Sequence, residues 1–141
     1  MADNPRTVSA ENEAVIEAAR SRDQGLDAVI ATDAVGTILY WSDQAALLYG
    51  WSADQVIGRN VLDVTPTRGS GEAATQIMED MRQGSEWTGE FIVRQRDGTP
   101  MIVHIRNFVV RNRGVVIGVV GVSHPSTRNT PPGSATRSVG D

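Results

Sequence analysis

An almost wholly apolar run of eight residues, Val115 to Val122, constrains the fold of this chain more than any other feature. Successive side chains of a strand point to opposite faces of its sheet, so a run that is apolar throughout must be covered on both faces. Short helices in the middle of the chain can cover one face. The other face then requires the N-terminal helix or a second subunit, which predicts either a helix folded across the sheet or a dimer.

Four further strands are predicted around this run. Asp33–Gly36 is a turn between two short apolar segments, and the Asp97-Gly98 pair marks a hairpin between two alternating segments. The segments predicted as strands are 28–32, 37–41, 87–95 and 101–110. We therefore expect an α+β domain in which one five-stranded antiparallel sheet carries short helices on one face.

The helical part of the chain is marked by capping residues. Ser9, Ser42 and Ser70 are each predicted to cap a helix, and the helix after Ser70 presents Ala74, Ile77, Met78 and Met81 on one face. The N-terminal helix carries a narrow stripe of small residues that suits packing against a sheet or against a second copy of itself: Ala14, Val15, Ala18 and Ala19.

The domain boundaries follow from changes in composition. Residues 1–8 are expected to be a disordered start, 9–25 the N-terminal helix, 26–124 the globular domain, and 125–141 a disordered tail. The tail prediction rests on Pro125, Pro131, Pro132 and the many Ser and Thr residues after Ser123.

Composition excludes several kinds of chemistry. The chain has no cysteine, and all 13 basic residues are arginine, so thiolate nucleophiles, cysteine zinc sites and Schiff-base lysines are absent. The two histidines, His104 and His124, are 20 positions apart, and no cluster with metal-ligand spacing is visible. A net charge of −4 argues against nucleic-acid binding. We expect no metal and no enzymatic activity.

The cytoplasm is the expected location. No stretch reaches the roughly 18 apolar residues of a membrane span, and Met1–Ser9 lacks the apolar core of a signal peptide. The exclusive use of arginine as the basic residue is the bias expected of a GC-rich bacterial genome.

A series of short stretches, taken together in their order along the chain, resembles the PAS family of sensory domains. The resemblance spans roughly residues 16–124. No one stretch is specific, and it is their order and spacing that carry the resemblance. They are Ile30-Ala-Thr-Asp33, Gly36-Thr-Ile-Leu-Tyr-Trp41, Ala45-Ala-Leu-Leu-Tyr-Gly-Trp-Ser52, Val56-Ile-Gly-Arg59, Trp87-Thr-Gly-Glu90, Arg96-Asp-Gly-Thr99 and Val119-Val-Gly-Val122.

The resemblance implies a PAS fold, with a five-stranded antiparallel sheet, a helical face that encloses a pocket, and frequent dimerisation through an N-terminal helix. PAS domains bind haem, flavin or small metabolites, or no detectable ligand, and regulate an attached or separate partner. In light-sensing members of the LOV type a reactive cysteine follows Gly-Arg-Asn, whereas here Val61 follows, so a covalent flavin–cysteine adduct is excluded. The haem-binding histidine of the FixL type corresponds to Ala73, which disfavours haem.

The end of the predicted domain also departs from the family pattern. Many PAS domains end in an Asp-Ile-Thr signal that leads into a coiled coil, and here the matching stretch is His124-Pro-Ser-Thr127. Because Pro125 opposes a following helix, the expectation is a chain that has lost its output domain or works as a free-standing unit.

Two functions are expected from these features. The first is a sensory module in bacterial signal transduction that binds a flavin or a small metabolite in an apolar pocket. The second is a ligand-free interaction module that forms homodimers or contacts a signalling partner. For the first, the candidate pocket residues are Ile30, Leu48, Ile57, Ile77, Met81, Ile92 and Val103.

Some other residues have a structural and a functional interpretation. His104 is either an ordinary sheet residue or a polar group that touches a ligand or forms a pH-sensitive interface. Trp41, Trp51 and Trp87 are either core and interface anchors or platforms for a planar cofactor. In both cases the structural interpretation is favoured.

Overall fold

A computed structural model of the chain describes residues 5–129, which contain one sheet and four α-helices. Three single turns of 3₁₀ helix follow α3 and β5: Val61–Asp63, Arg68–Ser70 and Thr127–Asn129. In chain order the helices and strands are α1 (Pro5–Arg22), β1 (Ala28–Asp33), β2 (Ile38–Trp41), α2 (Asp43–Tyr49), α3 (Ala53–Val56), α4 (Gly71–Arg82), β3 (Trp87–Arg94), β4 (Pro100–Asn112) and β5 (Val115–Pro125).

The five strands form one antiparallel sheet in the order β2-β1-β5-β4-β3, which confirms the predicted fold class. The apolar run forms β5, the central strand, which pairs with β1 on one side and β4 on the other. Val119, for example, lies opposite Thr32 of β1 and Val109 of β4. A central strand of a sheet covered on both faces has no side open to water, which explains why β5 is apolar throughout.

Local sequence signals set the short helices that cover one face of the sheet. The Ser42 hydroxyl accepts a hydrogen bond from the Ala45 amide and caps α2, as predicted. It also accepts one from the Val29 amide of β1, at 2.9 Å, and so fixes the start of α2 to the sheet. Gln55 completes a capping box with Ser52 at the start of α3.

Helix α1 covers the opposite face of the sheet. Val15 and Ala19 are fully buried in a cluster with Val29 and Ala31 of β1 and Val120 of β5. Of the two coverings predicted for this face, the structure therefore has the chain's own helix. Within the predicted stripe, Ala18 is partly buried against the same cluster, whereas Ala14 is exposed.

The structure corrects both predicted ends of the domain. Helix α1 begins at Pro5, so Ser9 lies inside the helix and is not its cap. Proline suits a first helical position because its missing N–H would have no partner there. At the other end, the Ser126 amide donates to the Ile102 carbonyl at 2.9 Å, and the Asn129 side chain accepts from the Ile102 amide at 2.8 Å. These bonds continue the β4 ladder beyond Pro125. The remainder of each predicted disordered end, 1–4 and 130–141, lies outside the described residues.

Candidate functional site

A cavity of about 110 Å³ lies between the sheet and the helical face. It is somewhat smaller than an apolar cavity of about 150 Å³ that binds benzene. None of the described residues that line it is Asp, Glu, Arg or His. They are Ile30, Thr32, Tyr49, Val61, Leu62, Thr65, Ala74, Ile77, Met78, Met81, Trp87, Phe91, Val93, Ile105, Asn107, Val119, Gly121 and Ser123.

Periodicity determines which side chains reach this cavity. On α4 they recur at i, i+3, i+4 and i+7 from Ala74 to Met81, which is the face predicted from sequence. On β5 the alternate residues Val119, Gly121 and Ser123 line the cavity, whereas Val120 and Val122 pack with α1. The central strand, with β1 beside it, therefore separates the cavity from α1.

Four residues with hydroxyl groups line the cavity: Thr32, Tyr49, Thr65 and Ser123. The hydroxyl groups of Thr32 and Thr65 donate to backbone carbonyls, which leaves those of Tyr49, at the end of α2, and Ser123, at the end of β5. Burial raises the pKa of Tyr49 to about 12, and a hydrogen bond with the Ser123 hydroxyl partly opposes this shift. Tyr49 is thus a neutral phenol at physiological pH, able to exchange hydrogen bonds but unable to supply charge.

The lining also includes the carboxamide of Asn107, which lies opposite Gly121 in the β4–β5 ladder. A Cβ atom at position 121 would be 2.6 Å from Asn107 Oδ1, so the glycine makes the room that this side chain occupies. Within residues 5–129 the carboxamide has no hydrogen-bonding partner, although it borders the cavity. It is a polar group on the wall that is free to bind a ligand.

Of the seven residues predicted from sequence to line a pocket, Ile30, Ile77 and Met81 lie on the cavity wall. Val103 is fully buried in the adjoining core, where it packs without reaching the cavity. Leu48 is partly buried against the same core and lines a separate groove.

The structure places the other two predicted residues outside the cavity. Ile92 is 41% exposed because Phe91 and Val93, its neighbours on β3, are the ones that point inward. Ile57 is 48% exposed because it caps the end of the short helix α3.

Sequence reasoning did not select the residues with hydroxyl or carboxamide groups on the wall: Thr32, Tyr49, Thr65, Asn107 and Ser123. Asn107 carried a usable signal, since it is a short polar side chain within the alternating β4 segment. Asn107 lies on the same face of β4 as Ile105, two residues before it, so the signal points to the cavity only if Ile105 is known to face inward. The sequence does not give this orientation.

His104 lies on the outer face of the sheet, away from the cavity. Its ring is 5.4 Å from that of His124, its cross-strand partner, and Glu90 is its partner on β3. Hydrogen bonds from the Ser126 hydroxyl, at 2.6 Å, and from the Arg128 guanidinium hold the pKa of Glu90 below its usual value. This row of side chains attaches the end of β5 to β3, and His104 cannot contact a ligand in the cavity.

The three tryptophans have separate positions. Trp87 lines the cavity, with Phe91 at 6.1 Å in an edge-to-face arrangement. Trp41 is buried, and its Nε1 donates to the Trp51 carbonyl at 2.9 Å. The Trp51 ring lies between the guanidinium groups of Arg59 and Arg96, each about 5 Å from it. Only Trp87 is placed to touch a ligand in this cavity.

A groove of about 250 Å³ lies on the surface where β1 begins and β5 ends. Leu26 and Leu47 border it and are 78% and 75% exposed. Large apolar side chains this exposed are unusual on a monomeric domain when they lie together.

No group of three or more potential metal ligands occurs in residues 5–129. None of the helices in that range is both long enough and apolar enough to cross a membrane.

A single antiparallel sheet, with short helices that enclose an apolar cavity on one face and an N-terminal helix on the other, defines a small α+β domain of the sensory type. The model of the PAS fold matches residues 13–125, most of the chain. The chain belongs to the PAS family, whose domains are sensory signalling modules.

Solved structures share this fold. A PAS domain from Colwellia psychrerythraea has 25% identity and a TM-score of 0.69, with 80% of this chain and 97% of that chain covered. The PAS domain of the Cronobacter turicensis RpfR quorum-sensing receptor, in complex with BDSF, has 19% identity and a TM-score of 0.61, covering 73% and 96%. A PAS domain from a two-component sensor histidine kinase has 15% identity and a TM-score of 0.61, covering 79% and 95%. The comparison with curated protein sequences finds no match.

Proposed function

We propose that this PAS domain binds a small molecule in the cavity and thereby regulates a partner protein in cytoplasmic bacterial signal transduction. The observation that carries the proposal is the position of β5. One face of this strand forms the wall of the cavity, and the other face holds α1. A ligand on one side can therefore change how the helix packs on the other.

The contact between β5 and α1 is close enough to transmit such a change. A Cβ atom at Gly118 would be 2.6 Å from Val15 Cγ2, so the helix lies almost on the backbone of the strand. A ligand that displaces Val119 or Gly121 would alter the packing of Val120, their neighbour in the sequence, against α1. Such a ligand shifts the equilibrium between two packing arrangements of α1 only to the extent that it binds one arrangement more tightly than the other.

The named relatives support the signalling part of this proposal by analogy. The RpfR domain is part of a quorum-sensing receptor and holds BDSF, and another relative belongs to a sensor histidine kinase. Identities of 15–19% establish a shared fold, so the identity of a ligand does not transfer from them.

The first experiment is native mass spectrometry and an absorption spectrum of freshly purified protein, on wild type and on Ala74→Phe. Ala74 lines the cavity from α4, so phenylalanine there fills the space. Added mass on wild type, with any absorbance beyond that of the protein, is the expected result, and both should be lost in Ala74→Phe. The matched control is Ala73→Phe, at an exposed position on the same helix. Added mass that survives Ala74→Phe would place the ligand elsewhere and contradict the proposal.

We further propose that the domain is not an enzyme. The cavity has no charged side chain among the residues that line it, and its one titratable residue, Tyr49, is held neutral. General acid–base catalysis near neutral pH needs a group whose pKa lies close to the working pH. A catalytic turnover assigned to this cavity would overturn this part of the proposal.

A second candidate function, homodimerisation, is favoured by the groove next to Leu26 and Leu47. A second copy of the chain that places the same two leucines against this groove would bury both, because a two-fold contact brings identical patches together. Analytical ultracentrifugation should show a dimer of wild type that Leu26→Asp with Leu47→Asp converts to monomer. Val35→Asp is the control, since Val35 is 63% exposed on a different turn. A dimer that survives the double substitution would exclude this interface.

A further inference from the structure

We infer that the cavity selects a neutral compound with a single planar ring and an amide-like polar group that bonds to the Asn107 carboxamide. This inference rests on the proposed function, because it names the ligand class of the same cavity. Four features of the wall carry it: its charge, its volume, its aromatic and thioether surfaces, and its free carboxamide.

Charge is the first restriction. The described lining contains no Arg, His, Asp or Glu, so an ionised ligand would meet no counter-charge. Burial of an unpaired ion is far more costly than burial of a neutral polar group. The hydroxyl groups of Tyr49 and Ser123 can solvate a polar atom but cannot balance a full charge. Carboxylates and phosphates are therefore excluded as the buried part of the ligand.

Volume is the second restriction. At about 110 Å³ the cavity lies well below the roughly 300–1,000 Å³ of pockets that enclose drug-sized ligands. It is close to the size that accommodates one benzene ring. A flavin, a haem or a long acyl chain can lie wholly within this volume only if α4 or the sheet is displaced, whereas a single ring requires only small adjustments of side chains.

The surfaces of the wall favour a flat ring. Trp87 and Phe91 present an edge-to-face aromatic pair from β3, and Met78 and Met81 face them from α4. Aromatic rings pack favourably against other rings and against thioether sulfur, and methionine adapts its shape to its neighbour.

The Asn107 carboxamide selects the polar group of the ligand. It offers two N–H donors and one carbonyl acceptor side by side. A primary amide on the ligand can exchange one hydrogen bond in each direction with it. Gly121 leaves room for this carboxamide, since a Cβ atom at position 121 would lie 2.6 Å from Oδ1. A ring without a polar group would leave the carboxamide without a partner.

Ligand-observed NMR titrations of wild-type protein at pH 7.5 test this with four probes. Benzamide is the neutral ring with an amide, and benzoate is its charged isostere. Toluene lacks the polar group, and 2-naphthamide adds a second ring. Benzamide should bind most tightly, toluene about tenfold more weakly, which corresponds to one net neutral hydrogen bond. Benzoate should bind at least about a hundredfold more weakly, and 2-naphthamide should not bind.

The variant Asn107→Leu keeps the shape of the side chain and removes its hydrogen bonds. It should weaken benzamide about tenfold and strengthen toluene, because toluene no longer leaves a carboxamide without a partner. Asn112→Leu, at an exposed end of β4, should change neither. Circular dichroism checks that both variants fold, and the wild-type series decides the ligand class even if they do not.

The possible outcomes separate this inference from the proposed function. Benzoate or 2-naphthamide binding as well as benzamide would overturn the ligand class while preserving a ligand-binding cavity. An unchanged benzamide affinity in folded Asn107→Leu would overturn the role of Asn107. If Ala74→Phe leaves every probe bound, the cavity is not the binding site and the proposed function fails together with the inference.

Discussion

At the residue scale, α1 and β1 approach the backbone of β5 closely at a position without a side chain. Gly118 on β5 lies against the Thr32 carbonyl oxygen and the Val15 side chain, and a Cβ atom there would be 2.5 Å and 2.6 Å from them. The carbonyl belongs to the paired strand and cannot move without disturbing the ladder. The absence of a side chain at this position is what allows α1 and β1 to approach β5 together.

Replacement of Gly118 by alanine should therefore destabilise the domain by about 2–3 kcal/mol, the cost of forcing a methyl group into a packed site. Urea unfolding gives the change. Gly71→Ala is the matched control, because Gly71 opens α4 with helical backbone angles and open space around its Cα. That variant should be stabilised by about 0.4–1 kcal/mol. A Gly118→Ala protein as stable as wild type would mean that α1 is not docked as described.

The two tyrosines determine a second property at this scale, the response to alkaline pH. The chain has no lysine and no cysteine, so between pH 10 and 12 tyrosine is the side chain left to titrate. Burial raises the pKa of Tyr49 to about 12, and burial with a hydrogen bond to Asp23, at 2.5 Å, raises the pKa of Tyr40 to about 12. In the unfolded chain both titrate near their usual value of about 10.

A raised acid pKa means that the folded state holds its proton more tightly than the unfolded state. The stability that this provides is complete below about pH 10 and is lost as the pH rises towards 12. For buried Tyr49 the loss should be about 3 kcal/mol. Urea unfolding at pH 9–12 should show a shallower decline in Tyr49→Phe than in wild type. Equal slopes in the two proteins would contradict a raised pKa at Tyr49.

At the scale of the element, α1 is held by one stripe of small residues. Ala19 is fully buried against the sheet, whereas Ala14, a member of the same predicted stripe, is exposed. The helix is therefore oriented about its axis so that only part of the stripe contacts the strands. Its far end is fixed by the bond from Tyr40 to Asp23 and by Arg22, whose guanidinium lies 3.6 Å from the Phe108 ring centre.

This difference predicts unequal effects of one substitution at two sites of α1. Ala19→Glu buries an unpaired charge, so the helix should leave the sheet and the domain should lose several kcal/mol of stability. Ala14→Glu should change stability by less than about 0.5 kcal/mol. Hydrogen exchange of the α1 amides, with urea unfolding, measures both. Retained protection of α1 in Ala19→Glu would show that the helix does not depend on this contact.

The same elements show what could be predicted from sequence and why the rest could not. The stripe of α4 was predictable because four residues at helical spacing leave one solution for the buried face. On β3, Ile92 and Val93 are both apolar, so alternation gives two faces but does not say which one is inside. The pairing register decides this, through contacts between residues far apart in the chain. Asn107 became a site residue only through its cross-strand partner, Gly121.

At the scale of the whole molecule, β5 joins two packed layers, and β1 lies beside it in the same position, with Ile30 towards the cavity and Val29 towards α1. The cavity layer contains α4 and Val119, and the outer layer contains α1 and Val120. Because neighbouring residues of one strand serve the two layers, a shift in one layer changes the support of the other. Cores are packed tightly enough to transmit small displacements of this kind.

A double-mutant cycle across β5 tests this coupling without a ligand. Ala74→Leu partly fills the cavity and should stabilise the domain by about 0.5–2 kcal/mol. Ala19→Ser weakens the docking of α1 from the other side. If β5 transmits strain, the two changes should deviate from additivity by about 0.5–2 kcal/mol, whereas independent sites add to within about 0.3–0.5 kcal/mol. Ala14→Ser replaces Ala19→Ser in the control cycle and should give additive values. Additivity in both cycles would mean that β5 is a rigid partition and that a signal from the cavity must leave through the helical face instead of through α1.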